Sequence, residues 1–168
     1  MRRHFIVSSI VALSMIGACE VETGNSTGAA ESKLLTAASI GEQLTLTTGE
    51  YLAQSPYATA DTANGERQAQ ICKACHSLGE GGMNMIGPNL FGFFGKRAGT
   101  VEGFDYSNVI VKVDFVWTPR ALDAWLVQPS RFLPGNRMAF AGVGDAADRA
   151  DLIAYLLRAT DDDNGTKE

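Results

Sequence analysis

The chain has 168 residues, of which 45% are hydrophobic and 20% are charged, so it is long and apolar enough to fold one domain around a buried core. Acidic residues outnumber basic ones by 19 to 14, and the formal net charge is −5. This balance excludes the basic surface that nucleic-acid binding requires.

The N-terminal 18 residues are typical of a secretory signal peptide. Arg2 and Arg3 make a positive start, and residues 5–18 are mostly apolar but too short to span a bilayer. The stretch Ile16-Gly17-Ala18-Cys19 resembles the lipobox of bacterial lipoproteins, in which cleavage precedes a cysteine that receives lipid. We therefore expect a signal peptide over 1–18 and lipid on Cys19. An ordinary signal peptide that leaves Cys19 unmodified is the alternative.

Residues 19–60 are rich in Thr, Ser, Gly and Ala and contain no aromatic residue before Tyr51. This composition predicts a flexible tether, although Leu34, Leu35, Leu44 and Leu46 offer a way to fold a short stretch against the domain. Residues 61–160 hold ten basic and ten acidic residues and are predicted to form the neutral folded domain. Residues 161–168 form an acidic tail.

Three helices are predicted between residues 61 and 160. Their expected N-caps are Asp61 or Asn64, Thr118 followed by Pro119, and Asp145. The first helix should run through Gly65 to Cys75, and the second should end before Pro129. Glycines and a proline break residues 79–99 into loops. No strand pattern appears, so the predicted fold class is all-α.

The pentapeptide Cys72-Lys73-Ala74-Cys75-His76 carries the most informative chemistry. Two thiols three residues apart can each add to a vinyl group at one porphyrin edge, and the next histidine is then carried beneath the iron. This spacing is typical of c-type haem attachment. A structural zinc site would need more ligands than the mature chain offers. A thioredoxin-like dithiol would need a βαβ setting, and a disulfide would leave His76 unexplained.

A second segment, Pro134-Gly135-Asn136-Arg137-Met138-Ala139-Phe140, presents a thioether after tight turns. Methionines more often fill gaps in a core than bind metals, and we interpret Met15, Met83 and Met85 in that way. Met138 differs, because its context matches a family.

From about Asn64 to Thr160 the sequence resembles class I cytochrome c. Besides the two segments above, the matching motifs are Gly87-Pro88-Asn89-Leu90, Gly95-Lys96-Arg97-Ala98-Gly99, Gly103-Phe104-Asp105-Tyr106-Ser107, Trp117 and Asp151-Leu152-Ile153-Ala154-Tyr155-Leu156. The resemblance implies the cytochrome c fold, with three main helices and loops around one covalent haem c.

The resemblance also implies a role for each matching residue. Cys72 and Cys75 would form the haem thioethers, and His76 and Met138 would be the axial iron ligands. The Pro88 carbonyl would accept a hydrogen bond from His76. Tyr106 and Trp117 would hold a buried haem propionate, and Asn136 stands where a threonine often does the same.

Several positions depart from the family pattern. Ala69 replaces an aromatic residue of the first helix, so its contact with Tyr155 should be looser or filled by the tether. Trp125 replaces a tyrosine that can hydrogen-bond the methionine sulfur, and Ile110 replaces a polar residue near the haem. Met83, Met85 and Ser130 stand where lysines commonly ring the exposed haem edge, which suggests docking that depends less on charge.

These features predict a one-electron carrier and not an enzyme, because two axial ligands leave the iron no open site. The resemblance implies transfer between a quinol–cytochrome c reductase and a terminal oxidase or photosynthetic reaction centre. The expected location is the periplasm, with a membrane anchor at Cys19 and no nucleic-acid partner. Two alternatives remain open. One is a weak peroxidase or gas sensor in which Met138 detaches, and the other is a subunit held permanently in a larger complex.

Overall fold

The computed structural model describes residues 35–162. In that range the chain is all-α, with one isolated antiparallel bridge between Arg97 and Val116 and no strand. The helices are α1 (Thr48–Leu52), α2 (Thr62–Lys73), α3 (Pro119–Val127), α4 (Pro129–Phe132) and α5 (Ala146–Ala159), and two 3-10 turns cover Tyr57–Thr59 and Ile110–Lys112. The predicted fold class is confirmed. The expected signal peptide, Cys19 and residues 163–168 of the acidic tail lie outside the described residues.

The three longest helices, α2, α3 and α5, begin directly after the predicted N-cap residues. Asp61 accepts a hydrogen bond from the Asn64 amide at 3.0 Å, Thr118 accepts one from Ala121 at 3.2 Å, and Asp145 caps α5. Helix α2 ends at Lys73, two residues earlier than predicted. The backbone amides of Cys75 and His76 both donate to the Cys72 carbonyl, which tightens the last turn and takes the chain out of the helix.

Helices α2 and α5 make the most extensive contact between elements in the described chain. A Cβ on Gly65 would overlap the backbone of Asp151 and lie 2.8 Å from Cβ of Tyr155, so only glycine permits this approach. Ala69, one turn further on, is completely buried. The contact at Ala69 was expected to be looser or filled by the tether; no gap is left there, and α1 and the Tyr57–Thr59 turn of the N-terminal segment contact α5.

The segment from Leu35 to Ala60 differs from the predicted flexible tether, because it packs against the rest of the domain. The Ala37 amide donates to the Phe132 carbonyl at 3.0 Å, and Ile40 is only 3% exposed. Arg120 donates to the Ile40 carbonyl at 2.8 Å. Residues 35–60, which were assigned to the tether, are thus part of the folded domain.

Two further features hold this N-terminal segment. Gln43 donates to Thr118 Oγ1 at 2.6 Å and accepts from the Val116 amide at 3.0 Å. Thr47 and Glu50 form a capping box that starts α1, whose Tyr51 side chain is buried. This capping box was visible in the sequence and is the pattern that would have revealed the helix.

None of the helices in residues 35–162 combines the length and the hydrophobicity needed to cross a membrane.

Candidate cofactor site

A cavity of about 780 Å³ opens between the end of α2, the loops that follow it and the segment around Met138. Its volume is typical of a site for a large ligand. The structure brings all eight sequence-predicted cofactor residues to this cavity: Cys72, Cys75, His76, Pro88, Tyr106, Trp117, Asn136 and Met138.

His76 is held in one orientation by its neighbours. Its Nδ1 lies 2.7 Å from the Pro88 carbonyl oxygen, so the ring donates from Nδ1 and leaves Nε2 with a free lone pair. Burial lowers the pKa of His76, with the Pro88 carbonyl partly offsetting that effect, so the neutral imidazole is favoured. A Cβ at position 87 would overlap this ring, which explains the glycine before Pro88.

The Met138 sulfur is positioned by an indole. Trp125, on α3 and 5% exposed, donates its Nε1 hydrogen to Met138 Sδ at 3.2 Å. Trp125 is itself packed edge-on against Trp117 and Phe132, with ring centroids 5.4 and 5.8 Å away. The thioether therefore lies against a rigid aromatic wall that also supplies its hydrogen-bond donor.

Asn136 ties the Met138 segment to α4. Its amide nitrogen donates to the carbonyls of Pro129 and Leu133 at 2.8 and 2.7 Å, and its oxygen accepts from the Met138 amide at 2.9 Å. Its expected contact with a haem propionate stays a prediction.

Tyr106 and Trp117 both line the cavity, as expected of residues that hold a propionate. Burial raises the pKa of Tyr106, and the backbone of Val101 partly offsets that rise, so the phenol keeps its proton. The Trp117 backbone is fixed by bonds with Lys96 and Gly95. Their contact with a propionate stays a prediction.

The alternatives for the two thiols find no support in the described chain. Cys72 and Cys75 are both free, so they form no disulfide with each other. Burial raises the pKa of the Cys72 thiol, which favours its protonated form. Across residues 35–162, no group of three or more histidine, cysteine or acidic side chains is placed to bind a metal ion.

The donor set fits a covalently attached haem. Two thiols, an imidazole nitrogen and a thioether sulfur line one cavity, and Ile110, which is 8% exposed, adds an apolar wall. Imidazole with thioether is a combination used by cytochromes c.

Proteins with similar sequences are named cytochromes. The chain is 51% identical over 77 residues to cytochrome c of Trypanosoma brucei brucei, covering 46% of this chain and 83% of that protein. It is 41% identical over 102 residues to cytochrome c2 of Blastochloris viridis, covering 61% and 80% of the two chains. It is 46% identical over 99 residues to the c-type cytochrome cy of Rhodobacter capsulatus, covering 58% and 49%.

No family model matches the chain. The relatives decide the family nevertheless, because identities above 40% extend over four-fifths of proteins named cytochrome c and c2. The all-α fold and the cavity that collects Cys72, Cys75 and His76 agree with them. The chain accordingly belongs to the class I c-type cytochromes, electron-transfer proteins rather than enzymes, which carry one covalently attached haem c.

Proposed function

We propose that this cytochrome is a periplasmic one-electron carrier whose haem iron is bound by His76 and Met138. The proposal rests on the observation that the His76 imidazole and the Met138 thioether line the same cavity and are each held by a hydrogen bond. Pro88 accepts from Nδ1 of His76 at 2.7 Å, which frees Nε2, and Trp125 donates to Sδ of Met138 at 3.2 Å. Each ligand atom is therefore oriented by a bond to another part of the chain.

The residues around the cavity favour electron transfer over catalysis. When bound, the haem supplies an iron that alternates between the ferric and ferrous states. Pro88 raises the basicity of His76, while the Trp125 N–H withdraws electron density from the Met138 sulfur. The aromatic wall of Trp117, Trp125 and Phe132 limits the entry of water. Such a rigid site rearranges little when its charge changes.

The ligation is tested with Met138→Ala in the holoprotein. We expect the variant to lose the long-wavelength sulfur-to-iron charge-transfer band of the oxidised state and to bind carbon monoxide when reduced. Met83→Ala is the matched control, because Met83 does not line the cavity and is 80% exposed; like Met85 (48%), it does not fill a gap in the core, so that interpretation of the two methionines was wrong. An unaltered band in Met138→Ala, or carbon monoxide binding by the reduced wild type, would contradict the proposal and favour a peroxidase or gas sensor.

For partners, we propose a quinol–cytochrome c reductase as electron donor and a terminal oxidase or photosynthetic reaction centre as acceptor. Support comes from similarity to cytochromes named c2 and cy in bacteria. A permanent subunit of a larger complex is the alternative. It would be recognised by co-purification of the untagged cytochrome with that complex at constant stoichiometry.

We also propose that Cys19 is lipidated and anchors the domain to a membrane. Residues 35–60 pack against the rest of the domain, so this part of the predicted 42-residue tether does not act as a free connection to the anchor. The mass of the mature N-terminal peptide tests this proposal. We expect an acylated Cys19, and Cys19→Ser should move the protein from the membrane to the soluble fraction.

A further inference from the structure

Residues 37–43 of the N-terminal segment bind the elements that carry the aromatic wall of the cavity, and we call these residues the brace. None of them lines the cavity itself. The Ala37 amide donates to the carbonyl of Phe132, which belongs to the wall. Arg120 of α3 donates to the Ile40 carbonyl at 2.8 Å. The brace therefore joins α3 and α4 from outside the cavity.

Gln43, at the end of the brace, makes hydrogen bonds on both sides of Trp117. Its Oε1 accepts from the Val116 amide at 3.0 Å, and its Nε2 donates to Thr118 Oγ1 at 2.6 Å. Thr118 is only 3% exposed and is the N-cap of α3. One side-chain amide thus fixes the two residues that flank Trp117 and the start of the helix that follows.

The Val116 amide depends on Gln43 because of the way its bridge to Arg97 is formed. The hydrogen bonds of this bridge are made by the residues on either side of the pair, so Arg97 and Val116 exchange none themselves. In such a pair the amide hydrogens point away from the partner strand. Gln43 supplies the acceptor on that side. Removing it would leave a half-buried backbone donor unpaired, which costs more than losing a bond between exposed groups.

The contacts of Trp117 lead directly to the Met138 sulfur. The Trp117 ring packs edge-on against the Trp125 ring at a centroid distance of 5.4 Å, and Phe132 packs against Trp125 at 5.8 Å. Trp125 donates to Met138 Sδ at 3.2 Å. Hydrogen bonds weaken steeply as their angle departs from linearity, so a small displacement of either neighbouring ring would weaken the bond to the sulfur.

We propose that Gln43 is a positioning residue for the Met138 ligand and acts through Trp117 and Trp125. The inference rests on the methionine ligation proposed above. It adds that a segment outside the part of the chain resembling cytochrome c supports that ligand. Gln43 touches neither the sulfur nor the cavity, but it fixes the wall from which the sulfur receives its hydrogen bond.

The test titrates the oxidised holoprotein with imidazole, which binds the iron only when the thioether detaches. The affinity for imidazole therefore measures how firmly Met138 is held. Gln43→Leu keeps a side chain of similar size but removes both hydrogen bonds. We expect it to bind imidazole roughly threefold to tenfold more tightly than the wild type, the range expected when one or two hydrogen bonds are lost.

Gln54→Leu is the matched control, because it makes the same change in the same N-terminal segment. Gln54 is exposed and donates to the Glu50 carbonyl at 3.1 Å, within its own turn. This variant should bind imidazole as the wild type does. Gln43→Glu should behave nearly as the wild type, because its carboxylate can accept from the Val116 amide and from the Thr118 hydroxyl.

A second measurement follows the indole directly. In the reduced holoprotein, the Nε1 hydrogen of Trp125 should exchange with solvent severalfold faster in Gln43→Leu than in the wild type or in Gln54→Leu. Nuclear magnetic resonance measures this exchange independently of imidazole. Exchange at the wild-type rate would overturn the inference, and so would equal imidazole affinities of Gln43→Leu and Gln54→Leu.

The wild type and Met138→Ala separate this inference from the proposed ligation. If Met138→Ala loses the charge-transfer band of the wild type while Gln43→Leu equals the wild type in both measurements, the role of Gln43 fails and the ligation stands. If the wild type itself has no such band, the methionine ligation fails, and the role of Gln43 with it.

Discussion

Two side chains hold Met138 in place, and each acts on a different atom. Trp125 donates to the sulfur, whereas Asn136 accepts from the backbone amide and fastens the segment to α4 through Pro129 and Leu133. The first bond affects the electronic character of the thioether, and the second affects where the backbone lies. The reduction potential and the stability of this segment should therefore respond to different substitutions.

Trp125→Phe keeps an aromatic wall but removes the hydrogen bond to the sulfur. Without that bond the thioether donates more electron density, which favours the ferric state. We expect the reduction potential to fall by on the order of tens of millivolts, since a neutral hydrogen bond contributes about 1 kcal/mol. Potentiometric titration measures this shift.

The control for this prediction is Tyr51→Phe, which also removes an aromatic donor. Tyr51 donates to the Leu44 carbonyl at 3.0 Å, and it does not line the cavity. Its potential should equal that of the wild type. A Trp125→Phe potential that is unchanged or higher would show that the indole does not act through the sulfur.

Among the helices, α2 and α5 together position the attachment motif. Helix α2 delivers Cys72, and its place in the molecule is decided by the close approach at Gly65 and Ala69. Arg149, 8% exposed, joins α5 to α3 by donating to Asp123 at 2.8 Å. Because α3 carries Trp125, the two sides of the cavity are linked through α5.

Gly65→Ala should destabilise the protein although alanine is the better helix former. The added methyl group would overlap the Asp151 backbone and force α2 away from α5. We expect the free energy of unfolding to fall by about 2 kcal/mol or more, outweighing a gain in helix propensity of about 1 kcal/mol. Denaturant unfolding of the holoprotein measures the loss.

Gly49→Ala provides the matched comparison, because it makes the same change inside a helix where no atom lies within 4 Å of the new Cβ. This variant should be as stable as the wild type or slightly more stable. Equal effects of the two substitutions would contradict the close approach of α2 and α5.

At the scale of the whole molecule, the N-terminal segment enlarges the domain beyond the part that resembles its relatives. Residues 35–60 contribute Ile40 and Tyr51 to the core and bind α3 through Gln43. A segment that is expected to connect the domain to a membrane therefore also stabilises it.

A fragment of residues 61–162 should be less stable than a fragment of residues 35–162. Removing 35–60 exposes the apolar surface beneath Ile40 and Tyr51, which should cost on the order of 3–5 kcal/mol at about 25 cal/mol per Å². Thermal unfolding of the two haem-loaded fragments compares them, and both keep Cys72, Cys75 and Met138. Equal unfolding midpoints would restore the original tether boundary at residue 60.

Interactions between residues close together in the sequence were sufficient to predict much of this structure. Helix caps at Asp61, Thr118 and Asp145 act within three residues, so the starts of α2, α3 and α5 were predictable. The attachment motif was equally local, since it needs two thiols and an imidazole within five residues. The family followed from motifs whose order and spacing agree with cytochrome c.

Long-range contacts decided the rest. Gln43 and Thr118 form a hydrogen bond although they lie 75 positions apart in the sequence. Composition alone favoured a flexible segment around Gln43, because composition carries no information about which residues pack together. Asn136 is expected at a propionate from the resemblance, and only the folded structure shows that its amide also donates to the carbonyls of Pro129 and Leu133. The pair of Arg137 with Asp105 likewise joins positions 32 apart in the sequence, which only folding brings together. The sequence by itself determined the cofactor chemistry; the tertiary structure decided which polar groups and which surfaces remain available around it, because that depends on which groups pair across the fold.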